Sequence, residues 1–405
     1  MDKILKPNYY DEFKCIANDC EDHCCAGWGV SIDKGTFNKY RKLNNKFGIQ
    51  LNTNINRNRK DVSDGNYAKI KLDKNNSCPM LDEKGLCNIH KNLGAGYLSH
   101  TCKTYPRMTS KYNDLFELSL TISCPEVARK IILNKEPISF NYNEEELNLT
   151  ERKYFKQNIN GDKELYNLIW ELRSVCISII QYREIEVWKR MIFVAMMCEK
   201  IQFKLDNNLI EECYEVIEEY KSQVLNKDIV KALDNINKIT QIRMPLAKSI
   251  LQSRTKLGVP NKTFNDLCIA FDKVMDTKIE DSIEVVTEKY AEIENEYYSK
   301  FIKNNEYIIE NYLVYYIFSN FMKAIDSKDI YKEVVKLVIN YSMIRMLLTG
   351  KLAYHKEEFT DQNLIEVFYS FSRTVEHNKN FLEDTYVEMK ELGYDKLAYL
   401  VILIK

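Results

Sequence analysis

The 405-residue chain is 45% hydrophobic and 29% charged with a formal net charge of -1, ordinary values for a soluble globular protein of about two to three domains. Near-neutrality excludes a chain that is basic throughout, as a nucleic-acid binder tends to be, and the longest apolar run, Met191 to Cys198, falls far short of the roughly 18 residues a membrane span needs. With only 12 Gly and 7 Pro, an all-β fold built on Gly/Pro turns does not fit, and a mainly α chain is expected.

The N-terminus, Met1 to Phe13, alternates charged and polar residues without an apolar core of its own, so it does not read as a secretory signal, and a cytoplasmic location is expected. From residue 1 to about 135 the sequence is irregular. Gly29 to Ile32 and Ala68 to Leu72 alternate like brief strands, and Asn52 to Lys60 reads as an exposed loop with a basic tip at Arg57, Arg59 and Lys60. Gly94-Ala95-Gly96 has no strand before it and reads as a turn rather than a phosphate loop.

Eight of the twelve cysteines lie in this part, at 15, 20, 24, 25, 78, 87, 102 and 124, where an even spread would put about four. They form two groups, Cys15-x4-Cys20-x3-Cys24-Cys25 and Cys78-x8-Cys87-x14-Cys102-x21-Cys124. Without a signal peptide, metal binding is a better reading than a disulfide framework. The soft thiolate set admits zinc or an iron-sulfur cluster. Neighbours Cys24 and Cys25 are not expected to ligate one tetrahedral ion together, and C-x3-C-x2-C, the hallmark of radical S-adenosylmethionine enzymes, is missing. His23, His90 and His100 stand near the cysteines as candidate ligands or proton shuttles, with plain surface roles as the alternative.

After Pro137 the pattern becomes helical. Leu165, Leu168, Ile169, Leu172, Val175, Cys176 and Ile179 make one buried stripe. Val187 to Phe203, Ile210 to Val224, Ile229 to Leu251, Ile283 to Met322, Ile330 to Leu348, Asn363 to Val375 and Leu382 to Ile404 repeat it. The aromatics between Tyr297 and Phe321 fit helix packing better than a ligand-stacking box. Charge divides the chain at the same place: residues 1 to 135 carry 22 Lys/Arg against 15 Asp/Glu, net +7, leaving -8 for the rest. The expected organisation is an irregular cysteine-rich metal domain over 1–135 followed by an all-α domain over 136–405.

Phe13-x-Cys15-x4-Cys20-x3-Cys24-Cys25-x2-Trp28, Cys78-Pro79 through Cys87-x-Ile89-His90, Leu98-Ser99-x2-Cys102-x2-Tyr105-Pro106-Arg107 and Ser123-Cys124-Pro125-Glu126 resemble the flagellin lysine-N-methylase family. The same region is similar to the wider CxxCxxxCC group of zinc- or iron-chelating proteins, departing from it in the four-residue gap between Cys15 and Cys20. The resemblance implies a protein-lysine N-methyltransferase that uses S-adenosylmethionine on surface lysines of flagellin, a component of the bacterial flagellum, with a 4Fe-4S cluster held by cysteines of the N-terminal set. It would explain why no glycine-rich donor loop is visible: the cluster could anchor the donor's amino and carboxylate groups. On this reading Tyr105 and Arg107 are donor-binding candidates, Arg107 through a bidentate contact to a carboxylate and Tyr105, like Trp28, through stacking on adenine. Tyr105, His90, His100 and Glu126 are candidates for the base that deprotonates the lysine. The alternatives are a non-catalytic zinc scaffold whose helical half binds a partner, and an electron-transfer protein.

Overall fold

The structure, a computed structural model, describes the chain except residues 23, 27–28, 60–61, 75–76, 148–154, 158–161, 259–260 and 279, and the side chains of 18, 155–157 and 379. It is mainly helical, as expected, and among the described residues the first 157 hold two sheets. The larger is built from β1 (Asp2–Pro7), β5 (Arg107–Tyr112), β6 (Leu115–Leu120), β7 (Phe140–Glu145) and β8 (Phe155–Gln157) in the order β7-β1-β6-β5-β8. β1 runs parallel to β6, with Ile4 beside Phe116, and antiparallel to β7. The first residues are therefore an inner strand. Their alternation buries Ile4 and Lys6, and the Lys6 ammonium is tied to Asp11 and Glu145 at 2.9 and 3.0 Å. That pairing lets a segment rich in lysine enter a sheet, and local composition does not reveal it.

The smaller sheet, of β2 (Ser31–Ile32), β3 (Ile55–Arg57) and β4 (Ala68–Ile70), has the order β2-β4-β3. Two of its strands fall where the alternation placed them. The third corrects the exposed-loop reading of Asn52 to Lys60: Ile55 pairs with Ile70, the helix Lys46–Thr53 runs into this stretch, and Arg57 stacks on the Tyr67 ring at 4.8 Å. Lys60 lies outside the described residues. Gly94 does sit in a turn, at φ +82°.

Two apolar cores result. The small one gathers Val30, Ile32, Tyr40, Leu51, Ala68, Ile70, Met80 and Ile89. The large one joins β1, β6 and the helix Pro125–Ile132 to the C-terminal helices without interruption, and β7, from beyond residue 135, pairs with β1. A buried bidentate pair, Arg173 to Glu117 at 2.6 and 2.9 Å, fixes the first long helix to β6.

The helix Ile330–His355, expected from one apolar stripe, lies at the centre and is buried on nearly every face, as a helix packed on all sides must be. The helix Lys262–Met275 packs across it and adds to the helices expected from periodicity. Their closest approach is at Gly350, where an added Cβ would lie 2.9 Å from Cα and Cβ of Phe271. Gly350→Ala is expected to cost about 1–3 kcal/mol despite alanine's better helix propensity, because two backbones must part. The denaturant unfolding midpoint would show it.

Three expected helices are interrupted. Ile229 to Leu251 breaks before Thr240–Lys256, and Leu382 to Ile404 breaks at Gly393, whose φ of +74° suits glycine. Ile283 to Met322 contains a π-helical turn at Glu294–Tyr298 and a stop before Glu306. Tyr298, Tyr312, Tyr315, Tyr316, Phe318 and Phe321 are core, as the aromatic pattern suggested. Among the described residues no helix is long and apolar enough to cross a membrane.

Candidate functional site

The cysteines gather by the way the small sheet folds. The 2.8 Å bond from the Cys78 N–H to the Cys25 carbonyl joins two segments. Cys87 opens the helix Asn88–Leu93, and Cys102 lies in the short helix His100–Thr104, where Ser99 Oγ accepts from its N–H at 3.2 Å. Cys24, Cys25, Cys78, Cys87 and Cys102, from four separated stretches, thus become electrostatic neighbours. Burial pushes the thiol of Cys78 up to about 11 and that of Cys102 up to about 12, and the neighbouring thiols add to it. Cys24 goes the other way, drawn down by its hydrogen bond with Cys25 against the effect of burial, with help from Arg373. Cys15, Cys20 and Cys124 form a second group beside the first. All eight are free thiols.

Sγ of Cys24 and Sγ of Cys25 are 3.7 Å apart, close to the edge of a tetrahedral thiolate shell with Zn–S near about 2.3 Å, so adjacency does not keep this pair from sharing one ion. Among the described residues no group of three or more His, Cys, Asp or Glu side chains closes to ion-ligand distance. The thiols are neighbours rather than a finished ligand shell. In kind, a set of partly desolvated thiols suits a soft metal group, whose positive charge would reverse the penalty on their ionisation.

The charge that reaches the thiols is Arg373, which periodicity had placed only as part of a helix. The helix Asp361–Phe371 ends in a π-helical turn, Ser372–Glu376, that carries Arg373 inward to 1% side-chain exposure. Its Nε donates to the Ser123 carbonyl at 2.8 Å and Nη1 pairs with Asp22 at 2.7 Å. Asp22 also accepts from Asn261, and its carbonyl accepts from the Cys20 thiol at 3.2 Å. The guanidinium favours the thiolates of Cys20, Cys24 and Cys124. Beside it opens a cavity of about 380 Å³ lined by Gly29, Arg254, Arg373, Thr374, His377, Asn378 and Asn380.

Tyr105 belongs to this junction: its hydroxyl meets Ser123 Oγ at 3.1 Å, and burial holds its pKa well above the usual phenol range. Arg107, two residues on, is exposed and lies over the Phe13 ring at 5.1 Å, away from the cavity lining. His90 is exposed, and the backbone N–H of His100 donates to the Asp33 carboxylate at 2.9 Å, which fixes where the helix His100–Thr104 starts. Glu126 is engaged by Arg129 at 2.6 Å and Lys130 at 3.7 Å. His23 and Trp28 lie outside the described residues. His377, whose Nε2 is 3.2 Å from Thr121 Oγ1, is a titratable cavity residue that spacing did not single out, since Thr121 lies 256 residues away.

A model of the FliB lysine N-methylase C-terminal domain matches residues 173–403, which include Arg254, Arg373 and His377 but none of the eight N-terminal cysteines. The lysine-N-methylases of Salmonella typhimurium (strain LT2) and Salmonella choleraesuis (strain SC-B67) are each 25% identical over 93% of this chain and 94% of their own. The flagellar biosynthetic protein FliU of Salmonella muenchen is 37% identical over 32% of this chain and 76% of its own. No solved structure matches. With more than half of its length matched by that domain, the chain belongs to the FliB lysine N-methylase family, a family of protein-lysine N-methyltransferases.

Proposed function

We propose that this enzyme methylates surface lysines of flagellin in the cytoplasm, taking the methyl group from S-adenosylmethionine and holding a 4Fe-4S cluster on cysteines of its N-terminal half. The observation that carries the reading is the convergence of thiols from separate segments beside a buried guanidinium and an open cavity. The similarity to a flagellar biosynthetic protein supports the flagellar substrate. A bound cluster would supply soft, redox-active iron with room for outer ligands.

The chain's own part is to bind, orient and desolvate. A lysine brought to the cavity meets the positive charges of Arg254 and Arg373 and leaves bulk water, and both effects favour its neutral, nucleophilic amine. Tyr105, held protonated by burial, is a hydrogen-bond donor at neutral pH rather than a base. Glu126 is committed to its ion pairs, which leaves His377 as the acceptor best placed at the cavity.

A zinc-bound module is the second reading, favoured by the 3.7 Å separation of the Cys24 and Cys25 sulfurs. The test is a visible spectrum with iron, sulfide and zinc analysis on anaerobically purified protein, followed by mass spectrometry of flagellin incubated with S-adenosylmethionine. A brown protein with about four irons per chain and methylated flagellin lysines is the expected result. Colourless protein with stoichiometric zinc would overturn the cluster, and unmodified flagellin would overturn the substrate.

A further inference from the structure

The cavity next to the thiols is built for an anion. Arg373 is buried, yet its Nη2 has no hydrogen-bond partner among the described residues, and the Oγ1 of Thr374, the next residue, is likewise buried without one. A guanidinium left short of an acceptor in the interior carries a large desolvation cost unless something completes it. A second buried arginine, Arg254, lines the same space. Its Nε and Nη1 are anchored on the backbone carbonyls of Thr374 and Gly258 at 2.6 and 2.9 Å, so among the described residues its charge is held in place by carbonyls rather than by a carboxylate. His377 lines the same space and adds no negative charge. Against these, the carboxylate paired with Arg373 among the described residues is Asp22, on its Nη1. The excess is positive and fixed by packing, and the volume falls at the lower end of the range for small-ligand sites, about 300–1,000 Å³.

We propose that Arg373, supported by Arg254, seats the α-carboxylate of the methyl donor in this cavity. The proposal rests on the donor reading given above and deepens it. The carboxylate is bound by the protein's guanidinium groups, not by the metal group, and the family-matched helical half supplies the donor's anchor while the cysteine half supplies its neighbour. In this seat a carboxylate oxygen would accept from Nη2 of Arg373 and from the Thr374 hydroxyl, two buried donors left without partners among the described residues. Arg107, exposed and stacked on Phe13, takes no part. Gly29 lines the cavity from the cysteine side, and an added Cβ there would meet nothing within 4 Å, so a side chain at 29 has open space beside the cavity.

The test is calorimetric binding to the full chain, purified anaerobically, of S-adenosylhomocysteine and of its decarboxylated analogue. Wild type is expected to prefer the carboxylate-bearing compound by about ten- to a hundredfold, the range for a charge-assisted hydrogen bond. Arg373→Gln is expected to bring the preference below threefold, and Arg254→Gln to reduce it at least threefold. Gly29→Leu, which leaves both arginines and the packing in place, is expected to weaken both compounds about equally with an unchanged melting temperature. It keeps the proposal testable if an arginine variant fails to fold. Equal affinities for the two compounds in wild type would overturn the seat while leaving the donor reading intact. A preference that survives both arginine substitutions would place the carboxylate elsewhere, on a metal group among others, and also overturn it. Failure of wild type to bind either compound or S-adenosylmethionine itself would overturn the donor reading and the seat with it.

Discussion

A Cys102→Ser variant is expected to lose most of its bound metal and to lower flagellin methylation by about a hundredfold or more, because removing a ligand should cost at least as much as removing a residue that supports one. Cys102 is the natural choice, since it neighbours Cys78, Cys87 and Cys24 at once and packs against the small core. Cys268→Ser serves as the control: this cysteine sits on the helix Lys262–Met275, apart from both thiol groups. It should keep wild-type iron and activity. Metal content and methyl transfer read in parallel decide the matter, and a Cys102→Ser protein with full metal and full activity would remove this thiol from the proposed site.

Glu294→Gln is expected to destabilise the fold by about 3–5 kcal/mol, the cost of stripping one member from a buried ion group. Glu294 sits in the π-helical turn, where Arg243 grips it with Nη1 at 2.6 Å, Arg345 Nε bonds it at 2.9 Å and Tyr290 Oη donates at 3.2 Å. Burial alone would raise its pKa, but the two guanidinium groups outweigh it and bring the carboxyl down to about 2. A carboxyl depressed in this way stabilises the folded chain fully above its unfolded value near 4.5 and progressively less as the pH falls toward about 2. Wild type should therefore lose roughly 3 kcal/mol across that interval from this group alone. Urea unfolding at a series of pH values should show a shallower acid loss in Glu294→Gln, and parallel curves for the two proteins would refute the assignment.

Legibility in the sequence follows how far apart the interacting residues lie. Leu165 to Ile179 forms the expected helix because its stripe is buried within one element, and the same holds for the aromatics from Tyr298 to Phe321. The strand Asp2–Pro7 was hidden because Lys6 is made compatible with burial by Glu145, 139 residues away. The π-helical turns at 294 and 372 look like plain helix in composition, and one holds Glu294 between Arg243 and Arg345 while the other carries Arg373. The cysteines stood out because thiols are scarce and were concentrated. Arg373 had no such signal: its partner Ser123 is 250 residues distant, and one arginine in a helical stretch says nothing about which cavity it lines.

That same distance sets an order of events on the ribosome. Cys124 emerges 249 residues before Arg373, so at about 5–20 residues per second the full set of N-terminal thiols stands ready for roughly 10–50 s without the guanidinium that later ties Asp22 to Ser123. On the proposed reading, metal delivered in that interval would meet an open half-site, with the π-helical turn arriving afterwards as its closing wall. Truncated chains ending before residue 361 would hold that open state indefinitely, making the timing of assembly accessible on stalled ribosomes.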